Sequence, residues 1–421
     1  AKNKFKSVLP EFKELLVNGE NKDERGISYF NRLMQFTGPL MAKGVEDTLM
    51  YTYHRFIGNN EVGDSPAHFG VDVQQFQKEI SKRAQQWPLA MNATATHDTK
   101  RAEDSRSRLS ALTEFASQWT ENIAHWRAIN QKLKTEQMPD ENDEYFIYQT
   151  LLASCPERGP EEDNYKERLL AYIEKALRES KRRSNWDEPE TSYEEATQHF
   201  VAKLLDTHGS FWKDFQPFLL KIIQTGKWNS LLSLVLKHTL PGIPDTYQGT
   251  EFFDLSMVDP DNRRAVDYEA RHESLQLLKD KTLANSLQFD SPSDADKLQL
   301  LHKLLQLRQK HYGLFAKGNY QPLKISGRKA SEIIAYARCY RNEWLLVVMH
   351  IHNANRVNWS EIELSLPQAL SQTGVTVTNV LTNKTATGLQ IDQDGKSNLT
   401  KLLDEKPFAI YHIKNFGIQT F

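Results

Sequence analysis

Near Gly318 the spacing of apolar residues changes from three-and-four to two, so no single repeating architecture can hold the whole chain. Before that point Leu109, Leu112, Phe115 and Trp119 recur at helical spacing. Tyr165 to Arg183 sets apolar positions among dense charge, and Leu298, Leu301, Leu304 and Leu305 share one helix face. After it, IIAYARCY, EWLLVVMHIH, EIELSLP, VTVTNVL and FAIYHIK alternate and are separated by Asn, Gly and Pro turns. The chain has 421 residues, which at about 150 residues per domain is room for two or three domains. The pattern predicts a multidomain α + β protein ending in a small all-β domain, a sandwich.

Helix ends are expected at Pro139, at the Pro156 to Pro160 stretch and at Pro189, because proline lacks the N–H and its ring clashes with the preceding turn. Residues 1 to 36 read as a helix, a turn with Gly19 and Gly26, and a second helical piece. Residues 229 to 239 read as one helix ended by Pro241-Gly242-Ile243-Pro244, before a short strand or turn, DTYQGTE; residues 297 to 311 read as another helix.

Lys plus Arg number 53 against 55 Asp plus Glu, so there is no field to hold a polyanion and no nucleic-acid partner is expected. No apolar run reaches the roughly 18 residues of a membrane span. Cys155 and Cys339 are the only cysteines, which fits a reducing cytoplasm and gives no disulfide scaffold or thiolate zinc site. Ala1 to Leu16 is charged throughout, unlike a signal peptide. Gly-rich phosphate loops, H-E-x-x-H and G-x-S-x-G are absent from the sequence, so no cofactor and no metal site is expected. His350 and His352, two apart on a strand, read as ordinary strand residues, and Lys181-Arg182-Arg183 as a solvated helix face.

Two segments have the texture of site loops, polar groups among Gly and aromatics: residues 37 to 66 and 92 to 101. In the second, ATAT reads as a short strand with His97-Asp98 at its end. A bare dipeptide says little, and Asp98 could simply cap the following helix. Asp245, Tyr247, Gln248 and Glu251 form the next polar cluster, after another helix and another short apolar stretch. Two such strand ends separated by a helix are what a (β/α) barrel presents at its C-terminal face.

Five stretches in order, TGPLMAKGVEDT, NEVGDSP, THDTKRAED, PGIPDTYQGTE and MVDPDNRRAVDY, resemble the maltooligosyltrehalose synthases of the α-amylase superfamily, glycoside hydrolase family 13. These enzymes of trehalose biosynthesis are isomerases that turn the reducing-end α-1,4 link of a maltooligosaccharide into an α,α-1,1 link. The departures are Asp64 and Ser65, where the family usually has N-E-V-G-G-D-P, and Ala265, where it usually has Pro. The resemblance implies the C-terminal part of a (β/α)8 barrel with a large helical insertion and a C-terminal β domain. The expected divisions are 1–100, a helical segment and late barrel strand with site loops; 101–225, the insertion; 226–317, the last barrel units; and 318–421, the β domain. It also implies that Asp98 is the third catalytic carboxylate, gripping the sugar hydroxyls harder as the ring flattens toward the oxocarbenium ion. His97 would donate to the same sugar. Lys43, Glu46 and Asp47 are candidates for holding the released glucose, the plain alternative being a loop-stabilising Lys43–Glu46 pair, and Lys100, Arg101, Tyr247 and Gln248 complete the substrate-binding set.

A retaining glycosidase needs two further carboxylates about 5–5.5 Å apart, which the superfamily carries before the Asp98 motif and which are not found here. Only 97 residues precede Asp98, whereas six βα units of roughly 30 residues would take about 180. The expectation is therefore a C-terminal fragment, inactive alone, whose partners are an α-1,4-glucan and the missing N-terminal half. A noncatalytic carbohydrate-binding or interaction module is the alternative. A plain α-glucan hydrolase leaves the MAKGVEDT and DTKR stretches unaccounted for.

Overall fold

Trp126 is fully buried in a ring of aromatic side chains, and that packing explains why the middle of the chain folds as helices. Its indole lies 5.4 Å from Phe211 and Phe215, 5.6 Å from Tyr148 and 5.8 Å from Trp119, centroid to centroid, within the range of favourable aromatic pairs. The computed structural model of the chain describes residues 9–17, 24–279, 291–352, 359, 362–370, 375–387, 395–403 and 406–415. Helices α1 (Leu9–Val17), α2 (Glu24–Pro39) and α3 (Val73–Gln86) precede a two-residue strand β1 (Met91–Asn92). Then come α4 (Glu103–Leu112), α5 (Ala116–Asn130), α6 (Glu141–Ser154), α7 (Tyr165–Ser180), α8 (Thr191–Leu204) and α9 (Ser210–Thr239).

Local chemistry sets many of these boundaries. Asp140 caps α6 by accepting the Asn142 and Asp143 amides, and Asp72 caps α3 through the Gln75 amide. The breaks expected at Pro139, Pro156–Pro160 and Pro189 fall between helices. Gly26 lies inside α2 rather than in a turn, and Gly19 lies outside the described residues. The division expected at 225 falls inside α9, so residues 229–239 are the end of one 30-residue helix rather than a helix of their own. Within that helix α4 packs closely on α9 at Gly226, where an added Cβ would stand 2.9 Å from the Arg108 Cα.

That helix serves two cores. Its first half joins the aromatic core of α4–α8; Leu231, Leu234 and Val235 join a second one with Leu300, Leu304 and Leu314. The latter come from α11 (Asp294–Lys310) and α12 (Tyr312–Lys317), which follow β2 (Ile243–Pro244) and α10 (Tyr268–Lys279). Among the described residues no helix is long and apolar enough to cross a membrane.

The second core is closed by a sheet. The strands are β3 (Gln321–Pro322), β4 (Ile325–Ser326), β5 (Ile333–Tyr340), β6 (Glu343–His350), β7 (Glu363–Ser365), β8 (Val375–Asn379), β9 (Thr385–Thr387), β10 (Lys396–Asn398) and β11 (Phe408–Asn415), with α13 (Leu399–Leu403) between the last two; β5, β6, β7, β8 and β11 fall on the five alternating runs, and the four short strands β3, β4, β9 and β10 lie outside them. Six form one antiparallel sheet in the order β3-β5-β6-β11-β8-β9; β10, β7 and β4 form another. Successive residues serve opposite faces. Leu345, Val347, Phe408 and Ile410 meet the helices, while Leu346, Val348, Ala409 and Ile413 meet Leu364, Leu399 and Leu402.

Two charge readings change. Strand β6 ends at His350, so His352 does not share it; His350 is buried with its Nε2 3.0 Å from Glu332. Lys181, Arg182 and Arg183 are not a helix face, because α7 stops at Ser180 and Lys181 turns left-handed. Arg182 pairs with Asp140 and Asp143, and Arg183 with Asp140.

Candidate functional site

The site begins from a carboxylate between two ammonium groups. The chain leaves α2 through a wide π-helical turn, Leu40–Glu46, which brings Lys43 within 2.5 Å of Asp47. The other Asp47 oxygen accepts from Lys100 Nζ at 2.9 Å. Burial alone would raise the Asp47 pKa, but the hydrogen bonds from Lys43 and Lys100 outweigh it and hold the carboxyl below its ordinary range. Lys43 is raised, first by its hydrogen bond to Asp47 and then by that charge, with the Asp98 charge also contributing. The alternative Lys43–Glu46 pair does not form: Lys43 takes Asp47, and Glu46 accepts the Gly63 amide at 3.4 Å.

The loop after β1 is woven into the same cluster. Glu61, buried, accepts both the Lys100 amide at 2.7 Å and the Val62 amide at 2.9 Å. Arg101 donates to the carbonyls of Ile57 and Asn60. The Ala102 amide donates to the Ser256 carbonyl at 2.9 Å, and the Asn262 side chain donates to the His97 carbonyl at 3.0 Å. Four of the motif stretches, distant in sequence, therefore meet around residues 96–104. The fifth, 241–251, is tied in from below: Asn92 donates to the carbonyls of Lys237 and Pro241, and β1 runs parallel to β2.

ATAT is not a strand. The strand is the residue pair before it, and Thr94 is held instead by Glu103, Lys237 and Arg106. Asp98 is not the cap of the next helix, which starts at Glu103 behind Ala102. It sits exposed with His97 in a turn braced by Thr96, whose hydroxyl accepts the Asp98 amide at 3.2 Å. DTYQGTE is a turn, the strand having formed one step earlier at Ile243–Pro244.

The nine sequence-derived residues divide into three groups. Lys43, Glu46, Asp47, His97 and Asp98 belong to the loop cluster and are exposed or half-buried. Lys100 and Arg101 are buried, their cationic groups committed to Asp47 and to backbone carbonyls, so they hold the loops rather than face a ligand. Tyr247 and Gln248 line a cavity of about 720 Å³ with Phe253, Asn262, Arg264 and Asp267. Neither His97 nor Asp98 lines it; Asn262, which bonds to His97, is the link. Sequence reasoning missed Glu61, though it lies within a quoted motif. It also missed the buried set Glu103, Asp104, Lys237 and Lys297, whose lysines carry no local signal.

With this geometry in hand, no family model matches the chain. Curated sequences named putative maltooligosyl trehalose synthase, from two strains of Mycobacterium tuberculosis, are 32% identical over 358 residues, 85% of this chain and 43% of theirs. The structure of maltooligosyltrehalose synthase from Arthrobacter ramosus matches with a TM-score of 0.75 at 28% identity, covering 90% of this chain and 46% of that one. A hypothetical maltooligosyl trehalose synthase from Sulfolobus tokodaii matches with a TM-score of 0.70 at 28% identity, over 92% of this chain and 48% of that one. The chain thus has a mixed α/β fold of the kind found in trehalose-forming synthases. It is a relative of the maltooligosyltrehalose synthases, as its motifs indicated, and it spans about half the length of the curated relatives it matches.

Proposed function

We propose that the chain is the C-terminal part of a cytoplasmic maltooligosyltrehalose synthase, working as an intramolecular transglycosylase on maltooligosaccharides. What carries this reading is the likeness to sequences named maltooligosyl trehalose synthase, 32% identity over 358 residues, together with the meeting of the motif loops around residues 96–104. In the proposed enzyme the other half supplies a nucleophilic carboxylate and an acid/base. The nucleophile displaces the reducing-end glucose and forms a glycosyl ester, while the acid protonates the leaving oxygen. The glucose turns over in place, and its anomeric hydroxyl, deprotonated by the same base, attacks to give the 1,1 link. Asp98 holds the hydroxyls of the sugar being attacked, and the turn braced by Thr96 sets its position.

The barrel follows as part of the proposal. β1 and β2 are two of its strands, α4 to α8 the insertion, and the two C-terminal sheets a β-sandwich domain. Support comes from apolar side chains left in solvent: Trp87, Leu89, Met91 and Ile243 around β1 and β2, and Ile27 and Phe36 on α2. Exposed apolar groups gathered beside an open strand pair suit a surface that another half covers.

The test joins this chain to the half its relatives also possess and supplies maltopentaose. The joined protein should yield trehalose-ended products, and the chain alone neither these nor hydrolysis, since Asp98 by itself cannot form the covalent intermediate. Activity from the chain alone, or a joined protein that only hydrolyses, would overturn the proposal.

Lys43→Ala or Glu46→Ala in the joined protein should shift products from the 1,1 link toward free glucose. The released glucose must reorient without leaving, and a weaker hold gives water time to reach the intermediate. The ratio of glucose to trehalose ends at matched substrate consumption reads this out. An unchanged ratio with both products falling equally would make these residues loop supports only.

A further inference from the structure

A second cluster of chemistry-bearing side chains lies away from the loops described above, where the α11–α12 corner meets the six-stranded sheet. His311 occupies the corner between the two helices. Glu343 opens β6, and His412 lies on β11 opposite Leu345. Glu343 and His412 are therefore diagonal neighbours on the sheet face that meets the helices. His311 Nδ1 is 3.3 Å from one Glu343 oxygen and His412 Nε2 is 3.9 Å from the other. The ligating atoms of all three lie within 4.8 Å of one another.

We propose that His311, Glu343 and His412 bind a divalent cation of the zinc type, pinning the helical corner to the sheet. Ligand atoms on a tetrahedron with bonds of about 2.0–2.1 Å stand about 3.3–3.4 Å apart, close to the His311–Glu343 separation. Hydrogen bonding alone does not account for the cluster. The His412 Nε2 is buried without a hydrogen-bond partner, and the two imidazole centroids lie 3.8 Å apart with the rings tilted by 31°. An ion between the three groups gives that nitrogen a partner. Two imidazoles and a carboxylate favour Zn²⁺, Co²⁺ or Ni²⁺ over Mg²⁺ or Ca²⁺, which take oxygen donors. Lys414 Nζ, 3.6 Å from Glu343 and half exposed, can swing into solvent at little cost when the ion enters. The three ligands come from three separate elements, so no spacing in the sequence announces them.

The experiment titrates the chelator-stripped chain with Zn²⁺ against a chromophoric competitor and with Co²⁺ by its visible d–d bands. One equivalent should bind with micromolar or tighter affinity and raise the thermal midpoint, and Mg²⁺ should not compete. His311→Ala, His412→Ala and Glu343→Gln should each weaken binding at least tenfold, and His352→Ala should leave it unchanged. Absence of binding up to millimolar Zn²⁺, or equal binding by the His311→Ala/His412→Ala double variant, would overturn the proposal. Should a variant fail to fold, Co²⁺ added to the unaltered chain decides the matter. Paramagnetic shifts on the His311 and His412 ring protons are expected, and shifts confined to other histidines would refute the site.

Discussion

Replacing Lys297 with Met should lower the unfolding free energy by about 3–5 kcal/mol at neutral pH, the usual cost of stripping one partner from a buried ion pair. The ammonium is fully buried and donates to Glu103 at 2.9 Å, to Asp104 at 2.7 Å and to the Phe252 carbonyl at 3.0 Å. Methionine fills the space but leaves two carboxylates in a dry interior, with Lys237 paired to Glu103 and no ion pair left to Asp104. Glu103 now titrates at about 2: burial would raise it, but Lys297 and Lys237 outweigh that. Asp104 is pushed up to about 6 by burial and by Glu103, against the pull of Lys297. Without Lys297 both rise. A carboxyl whose folded pKa lies above its unfolded value, 3.8 for Asp104, contributes stability below the unfolded value and loses it as pH rises through the folded one. The deficit of the variant should therefore be larger at about pH 8 than at about pH 5, where Asp104 can take up a proton in place of the lost charge. Urea midpoints of both proteins at the two pH values measure this. Equal stability at both would show that the cluster adds nothing to the fold.

Period and prolines made the strands and most helix ends readable, because both act over a few residues. IIAYARCY is strand β5 to the residue, since its alternating side chains serve two different cores. What could not be read depended on partners far along the chain. Arg108 packs on Gly226 from a hundred residues away, and Lys181–Arg183, solvated as read, lie past the end of α7, with Arg182 and Arg183 beside Asp140. The site behaved in the same way. The motifs named the loops, and the loops do meet, but residue type did not say which cation faces solvent. Lys43 and Lys100 flank one carboxylate, the first with a side chain 74% exposed and the second 4%. Only the fold separates a lysine free to meet a ligand from one that fastens two loops together.

On the function proposed above, Asp98 is the residue whose change should be felt most in turnover. In the joined enzyme, Asp98→Asn should lower kcat by roughly 100-fold or more with little change in KM, a loss like that of other groups that act on developing charge. The amide is nearly the same size, and the turn that carries it is held by Thr96 and Thr99 rather than by the carboxylate, so the loop should keep its place. What the amide loses is charge. A carboxylate accepting from the sugar hydroxyls strengthens those bonds as positive charge grows on the ring, and a neutral amide does so far less. The exposed Lys43 ammonium provides a second reading of the same idea. Lys43→Ala alone should alter the product ratio, whereas Asp98→Asn should depress both products together, because it acts before water and glucose compete. A variant that raised KM and left kcat intact would make Asp98 a ground-state binding residue and overturn its assignment as the third carboxylate.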